Sequence, residues 1–591
     1  MGKAIAPFVA AVVLVVVSLR GFAQTSPSNP TYQADYENYV AERTRIDALG
    51  VNLFGDTISY LDGTTVFRIT DVSVPTNGSI PVSFGRILSP HETPLGNALQ
   101  GSIDYTKNIM GVQWKPDIPV IYGAYPMGGT PNPTGKIFGC SASLSPGPVT
   151  VPQRPPILPY NYFFGVRVNI PGSGEEEVLT IPESATVPND GQVYYHVTKS
   201  NWRISCLPGL QNSNSGKGFA VAMPNGVKYT FDWLSTQQLQ GFNVSSEPSI
   251  PRSMLTFHAT KATDRFGNTV TYTYDPTHPE RITSIVSSDG AAITFSYDTL
   301  GGVKTVIANN KTWTYAFVQA PGTSNAAYRY LSSILLPDSS RWAFSYQNQM
   351  YGWRPSGAIF ATNCNFNAGV MTSQDYQSDG ELGILTITHP SGAIGVFKYK
   401  MIAMGYNNVD MGGCSTSNPN GIPFTGRSKA YTYNSLISKA ISGPGLTSVS
   451  WKLNFYPSWS WAFECSPACA TTSRTVVTRN DGVVDTYTFG NDYQTNAGQL
   501  FDHTTAKGSS VLRGVTYSYV TSITGQPFPD YWGGHPYSNI GDNMSSTFFR
   551  LNRPEVSVST VQDGMKFSRR VNSFDQFVRP KSVTVASAPA P

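Results

Sequence analysis

Apolar and polar positions alternate most regularly in the middle of the chain. Over Thr269–Asp275, Val270, Tyr272 and Tyr274 fall on one face, and Thr269, Thr271 and Thr273 on the other. That is the two-residue period of a half-buried strand. The period returns over Ile293–Asp298, where Ile293, Phe295 and Tyr297 alternate with Thr294, Ser296 and Asp298. Asp289-Gly290 precedes this second run and supplies a residue that accepts positive φ, so a tight hairpin turn is predicted there.

The same unit of turn plus alternating aromatics recurs. Asn225-Gly226 leads into Tyr229 and Phe231, Asn309-Asn310 into Trp313 and Tyr315, and Asp338-Ser339 into Trp342, Phe344 and Tyr346. Looser copies start at Ser391-Gly392, Asp481-Gly482 and Asp563-Gly564. One hairpin cannot bury its apolar face alone, so a short repeat of this kind builds a fold by stacking neighbours. The predicted class is all-β: antiparallel hairpin repeats forming a curled ribbon or partial shell, with an amino-terminal β-rich region packed against or capping it. Tyr hydroxyls at strand ends are expected to bond across strands or to water.

The unit Asp264-Arg265-Phe266-Gly267-Asn268, followed by Tyr274-Asp275 and Arg281, resembles the tyrosine-aspartate repeat of the RHS-repeat family. Tyr297-Asp298-Thr299-Leu300-Gly301 is similar to the same motif, and Phe574-Asp575-Gln576-Phe577-Val578-Arg579 is a degenerate form of it. The close match runs from about Asp264 to Gly301; many other copies lack the aspartate. The resemblance implies structural roles for Asp264, Gly267, Asn268, Tyr274, Asp275, Arg281, Gly290, Tyr297, Asp298 and Gly301. It also implies a long ribbon spiralling into a hollow shell, often around a toxic carboxyl-terminal domain. Such shells often carry an Asp-Pro-containing self-cleavage motif near the end of their repeats. Here the one Asp-Pro is Asp275-Pro276, far from the end, so neither self-cleavage nor a toxin domain is expected.

At the amino terminus, Lys3 precedes an apolar run from Ala4 to Leu19, and Gly21-Phe22-Ala23 places small residues at a cleavage site. This reads as a signal peptide over residues 1–23, and no later run is apolar enough to span a bilayer. The protein is expected to be exported: periplasmic, cell-surface or secreted. Residues 34–49 have helical spacing. Strands are predicted at 53–60, 66–75, 160–170 and 193–204, and the turns at Asp62-Gly63 and Asn77-Gly78. A Pro/Gly-rich loop or insertion is predicted at 123–159, polar connections at 207–217 and 234–252, and a boundary near 255. The amino-terminal β region then covers 24–255, the repeats 256–585, and a flexible tail 586–591.

Composition sharpens the picture at a few points. Charged residues make up 13% of the 591 and aromatics 12%, against roughly 25% charged in ordinary soluble domains. Net charge is +4, too small to point to nucleic acid. Six cysteines, Cys140, Cys206, Cys364, Cys414, Cys465 and Cys469, suit disulfides in an exported chain. Their connectivity stays open; proximity favours 140–206, 364–414 and 465–469, and at least two bonds are expected. None of the seven histidines forms a His-x-x-x-His or His-Glu-x-x-His arrangement, and there is no Gly-x-Ser-x-Gly elbow or phosphate-binding glycine loop. No metal, cofactor or catalytic group is predicted. Glu175-Glu176-Glu177 reads as a solvated loop, and Asp481-Gly482 as a hairpin turn rather than a calcium loop.

The function expected is that of a non-enzymatic RHS-type shell or surface scaffold, linked to bacterial competition or toxin delivery. Its partner would be another RHS-type chain or a toxin subunit completing the β-surface. A carbohydrate-binding adhesin is the alternative, with cell-surface glycan stacking on Trp451, Trp459 and Trp461. A secreted hydrolase with an unrecognised site is the third.

Overall fold

The computed structural model describes residues 53–90, 105–126, 140, 144, 165–181, 187, 189–212, 216–242, 250–321, 324–347, 383–405, 407, 430–457, 471–492, 495–521, 553–575 and 578–590. All lie in one compact unit, Arg43–Pro591. The signal peptide, the helical segment at 34–49, most of the Pro/Gly-rich stretch, Trp459, Trp461 and four of the cysteines (Cys364, Cys414, Cys465 and Cys469) lie outside the described residues.

The fold is all-β and antiparallel, in three parts. Strands β1 (Asp56–Ile58), β2 (Thr65–Val74), β3 (Val82–Leu88) and β4 (Trp114–Asp117) form a small sheet in sequence order. Next come β5 (Val120–Pro126), β6 (Val166–Ile170), β7 (Gly174–Thr180), β8 (Tyr194–Val197), β9 (Arg203–Cys206), β10 (Phe219–Ala222), β11 (Lys228–Phe242) and β12 (Ile250–Thr263). These eight pair consecutively and close into a barrel, because residues 252–258 of β12 also pair with β5. Residues 261–263 of the same strand pair instead with β13 (Thr269–Tyr274). One strand therefore serves both the barrel and the ribbon, and the expected boundary near 255 falls inside it.

From β13 the chain meanders as a ribbon through β14 (Ile282–Ser287), β15 (Ala292–Tyr297), β16 (Val303–Ala308), β17 (Lys311–Gln319), β18 (Arg329–Leu335), β19 (Arg341–Gln347), β20 (Gly383–Thr388), β21 (Ile394–Gly405), β22 (Ala430–Gly443), β23 (Leu446–Tyr456), β24 (Thr472–Arg479), β25 (Val483–Gly490), β26 (Leu500–Lys507), β27 (Ser510–Tyr519), β28 (Glu555–Gln562), β29 (Met565–Phe574) and β30 (Pro580–Pro589). The expected alternation holds: Val270, Tyr272 and Tyr274 are buried, while Thr271 and Thr273 are exposed. The predicted turns hold as well. Asn309 and Asn310 both take positive φ, as do Asp563 and Gly564, which matches the twist of the flanking strands.

Register shifts fall just before Tyr274, Tyr297, Phe317, Tyr399, Phe489 and Tyr519. Each is the last aromatic of its strand or close to it. A bulge adds local twist and bends its strand, so these shifts curve the ribbon locally.

Several expectations need correction. Residues 234–252 are not a polar connection, because β11 and β12 run through most of them; pairing to two neighbours overrides the polar composition. Glu175-Glu176-Glu177 is not a solvated loop but lies in β7, with Glu176 and Glu177 buried. Residues 193–204 form two strands rather than one. Asn201 takes positive φ and the Trp202 amide donates to Thr198 Oγ1 at 3.2 Å, which closes a turn between them. Residues 123–126 belong to β5, and residues 586–589 are no loose tail but the end of β30, paired with β29.

The core lies where the small sheet meets the ribbon's inner face. Phe84 meets the edge of Phe295 at 4.9 Å, Phe67 meets Phe397 at 4.8 Å, and Tyr60 stacks on Tyr487 at 4.3 Å. Trp114 packs edge-on to Phe344 at 5.0 Å and donates its indole N–H to Tyr346 Oη at 2.7 Å. The hollow interior that the resemblance implies is therefore filled along β15–β25 by the chain's own first strands.

Candidate functional site

The ten motif residues fall into turns and strand ends. Asp264 Oδ1 accepts the amides of Phe266 and Asn268 at 2.8 and 2.9 Å, and Oδ2 accepts Asn268 Nδ2 at 2.8 Å. The Asn268 side-chain bond is the main cause that holds this carboxyl at about 2. Asp275 does the same for its own turn. It accepts the Thr277 hydroxyl at 2.7 Å and amide at 2.8 Å, chiefly the hydroxyl holding it at about 2. Asp298 accepts the amides of Leu300 and Gly302 and is gripped by both Arg329 guanidinium nitrogens at 2.7 Å. Gly267, Gly290 and Gly301 all take positive φ. At Gly301 a Cβ would also lie 2.2 Å from the Thr106 carbonyl oxygen, so only glycine fits.

The two motif tyrosines share a task with two tyrosines elsewhere in the ribbon. Tyr274, Tyr297 and Tyr346 donate their hydroxyls to Ala259, Ile282 and Leu331 carbonyls at 2.9, 2.6 and 2.8 Å, in each case 15 residues upstream. Tyr519 caps Leu500 in the same manner at 2.9 Å. At the register shifts before Tyr274, Tyr297 and Tyr519 the ring that follows bonds a carbonyl of the preceding strand, while Tyr346 does so without a shift. Arg281 lies over the Tyr297 ring at 5.5 Å. The expectation that tyrosine tips bond across strands is met at these four, and the 15-residue spacing of three of them escaped sequence reading.

Two of these turns also meet the inner sheet. The Asn77 amide donates to Asp289 Oδ2 at 2.6 Å, beside Gly290, and the Ser79 amide and hydroxyl approach Asp264 Oδ2 at 3.4 Å. The motif carboxylates thus organise their own turns and seat the β2–β3 hairpin. Their oxygens are engaged as acceptors.

Other chemistry-bearing groups are held inside. Ser235 Oγ and His258 Nε2 are 2.7 Å apart, beneath Tyr274, whose ring lies 4.9 Å from the imidazole. Both are buried, and desolvation pushes His258 down to about 3. His258 Nδ1 has no hydrogen-bond partner among the described residues, so no carboxylate orients this pair as a triad would require. His196 Nε2 bonds the Cys140 carbonyl at 2.7 Å, and burial lowers the imidazole to about 4. Cys140 is bonded to Cys206, the pairing that proximity favours. No group of three or more His, Cys, Asp or Glu side chains suited to a metal occurs among the described residues. Trp451, read as part of a sugar-stacking row, is instead buried in the core.

The surface that stands out is at the far end of the ribbon. Residues directly paired share a face, so the buried Val515 and Tyr517 of β27 continue through Thr560 and Val558 of β28 to Phe567 and Arg569 of β29, then to Ser587 and Val585 of β30. Val515 is fully buried, yet Phe567 is 50% and Val585 75% exposed. The core runs out along one continuous face. Among the described residues β30 pairs with β29 alone, and the last turn is held by Asp575, which accepts Arg579 Nε at 2.6 Å. Val578 of that turn packs on Leu179 and Val197 of the barrel.

No family model matches the sequence, and no curated protein matches it. Among solved structures the chain is similar to TcdB2-TccC3 without its hypervariable C-terminal region, at 10% identity and a TM-score of 0.22. That alignment covers 93% of this chain but only 36% of the other. It is also similar to the N-terminal domain of the effector protein SpvB from Salmonella typhimurium strain LT2, at 11% identity and a TM-score of 0.15, over 66% of this chain and 94% of that one.

Proposed function

We propose that this chain is an exported, non-enzymatic scaffold of the RHS-repeat kind, whose last strands seat a partner chain. The observation that carries this reading is the exposed continuation of the inner face at Phe567 and Val585, ending in β30. An edge strand offers unpaired backbone groups for strand addition, and two apolar side chains on the same face supply pockets and area. The partner is another RHS-type or toxin-related chain, which would extend the sheet and cover the face that β1–β4 do not reach. The motif residues support the reading in a negative sense, since their carboxylates and hydroxyls are spent on turns and strand ends.

Co-expression with the product of the neighbouring reading frame, followed by size-exclusion chromatography with light scattering, tests this. The expected result is a stable complex that Phe567→Lys with Val585→Lys disrupts while the isolated chain keeps its thermal stability. A complex unaffected by the double variant would place the interface elsewhere. Turnover of any substrate by the purified chain in a broad hydrolase panel would remove the non-enzymatic part.

A further inference from the structure

The inner sheet is fastened to the ribbon by an ion pair in an unusual setting. Asp56, on β1, and Lys439, on β22, lie 383 residues apart in sequence, with Lys439 Nζ 2.5 Å from Asp56 Oδ2. Their side chains are 1% and 3% exposed. In the ribbon's register Lys439 sits between Phe397 of β21 and Trp451 of β23, and its ammonium lies 5.7 and 5.3 Å from their ring centroids. Asp56 is paired with Phe67, whose ring packs on Phe397.

This pair is poorly supported as an ion pair. An ammonium has three donors and a carboxylate two acceptor oxygens. Here Asp56 Oδ1 is buried with no hydrogen-bond partner among the described residues, and Lys439 Nζ lies over the rings of Phe397 and Trp451. Removing two charges from water is repaid only when their remaining hydrogen-bonding capacity is met. Once a proton passes between them, the pair is an amine facing a carboxylic acid. Those are the reactants of an amide condensation, already at contact distance and held by rigid strands, so proximity replaces an activating group.

We propose that Asp56 and Lys439 join through an amide bond, an intramolecular cross-link between the first strand of the inner sheet and the ribbon. The ammonium passes a proton to the carboxylate, and the Nζ lone pair then attacks Cγ of Asp56. The tetrahedral centre expels a hydroxyl group, which leaves as water with a proton from nitrogen. One C–N bond forms, one C–O bond breaks, one water departs, and nothing is oxidised or reduced. The product amide needs one donor and one acceptor partner, fewer than the ion pair.

The test is the intact mass of the full-length chain as exported, measured in denaturant, with a peptide map after reduction. The expected mass is one water below that of the sequence after allowance for signal removal and disulfides, and one branched peptide contains both Asp56 and Lys439. Reduction leaves this peptide intact, which separates it from the Cys140–Cys206 bond. Lys439→Met and Asp56→Ala should each restore the missing water, and Lys439→Arg should do so while keeping the charge. Full mass in the parent, with Asp56 and Lys439 in separate linear peptides and Cys140–Cys206 formed, would overturn the proposal. Water loss that persists in Lys439→Met would do so equally. If the variants fail to fold, the parent peptide map decides alone.

Discussion

The stretch β13–β19 and the stretch β28–β30 are built from the same hairpins and end differently. Both alternate, both turn on residues with positive φ, and both use a motif aspartate to close a turn. In the first, the inward residues Tyr272, Ile293, Tyr315 and Phe344 are buried, with Tyr315 and Phe344 packed on Phe84 and Trp114 of the four-stranded sheet. In the second, Phe567 and Val585 occupy equivalent inward positions in solvent. Local pattern therefore sets strand, turn and facing, while burial depends on what lies across the face. The amino-terminal sheet covers part of the ribbon, and where it stops the inward face is exposed.

The contrast breaks most severely at Arg86. Its guanidinium is fully buried against Asp71 and lies 4.9 to 5.5 Å from the rings of Trp342, Phe344 and Trp114. Asp71→Ala leaves that cation without its carboxylate and should cost about 3–5 kcal/mol, seen as a large drop in the denaturant midpoint. An unchanged midpoint would mean that the sheet does not hold the ribbon.

Turn glycines sharpen the comparison at lower energy. Gly290 and Gly564 both have positive φ and open space around the missing Cβ, so valine at either site is penalised by backbone strain of roughly 1–3 kcal/mol. Gly290→Val should lower the global melting temperature because that turn also meets Asn77. Gly564→Val should leave global melting in place and loosen only β29–β30, read by proteolysis. Equal effects on global melting would show that the two stretches form one cooperative unit.

Acid should act unevenly as well. His196 and His258 are held below the usual histidine value, at about 4 and 3, by desolvation. A lowered histidine is neutral in the fold, so its contribution is complete above the unfolded value near 6.5. It is then lost as pH falls toward the folded values. Stability should fall by about 1.4 kcal/mol per pH unit for each histidine across that window. His258→Gln should reduce the slope. β28–β30 contain no histidine, so their local opening should change little over the same range.

The smallest effect expected is Phe567→Ala. A half-exposed ring with no partner should change the stability of the isolated chain by about 0.5 kcal/mol or less, in a chemical-denaturation series. A loss comparable to a core phenylalanine would show that the ring is covered.

Much of the ribbon was legible because its turns are local. Asp289-Gly290, Asn309-Asn310 and Asp563-Gly564 declare their conformations through residues that tolerate positive φ, and the Tyr/Thr alternation declares the faces. The long strands β11 and β12 were not legible. Ser235, Gln237 and Gln238 read as a connection, and only pairing to neighbours makes them strand. Glu175-Glu176-Glu177 misled for a related reason: Glu175 is buffered by Arg167 and the Tyr122 hydroxyl, and Glu176 by the Ser200 amide. The filling of the ribbon by β1–β4 rests on contacts such as Tyr60 with Tyr487, between positions hundreds of residues apart, which no local pattern encodes. The candidate site was half legible. The motif aspartates and tyrosines were visible, while the exposed face at Phe567 and Val585 appears only once the strand registers are known.

Amide hydrogen exchange on the isolated full-length chain tests the central claim most directly, because it reads opening strand by strand. A ribbon packed by its own first strands and unfilled at its end predicts slow exchange, close to the global limit, through β15–β21. It predicts exchange orders of magnitude faster in β28–β30, slowed when the partner chain binds. Uniform protection along the whole ribbon of the isolated chain would contradict the account.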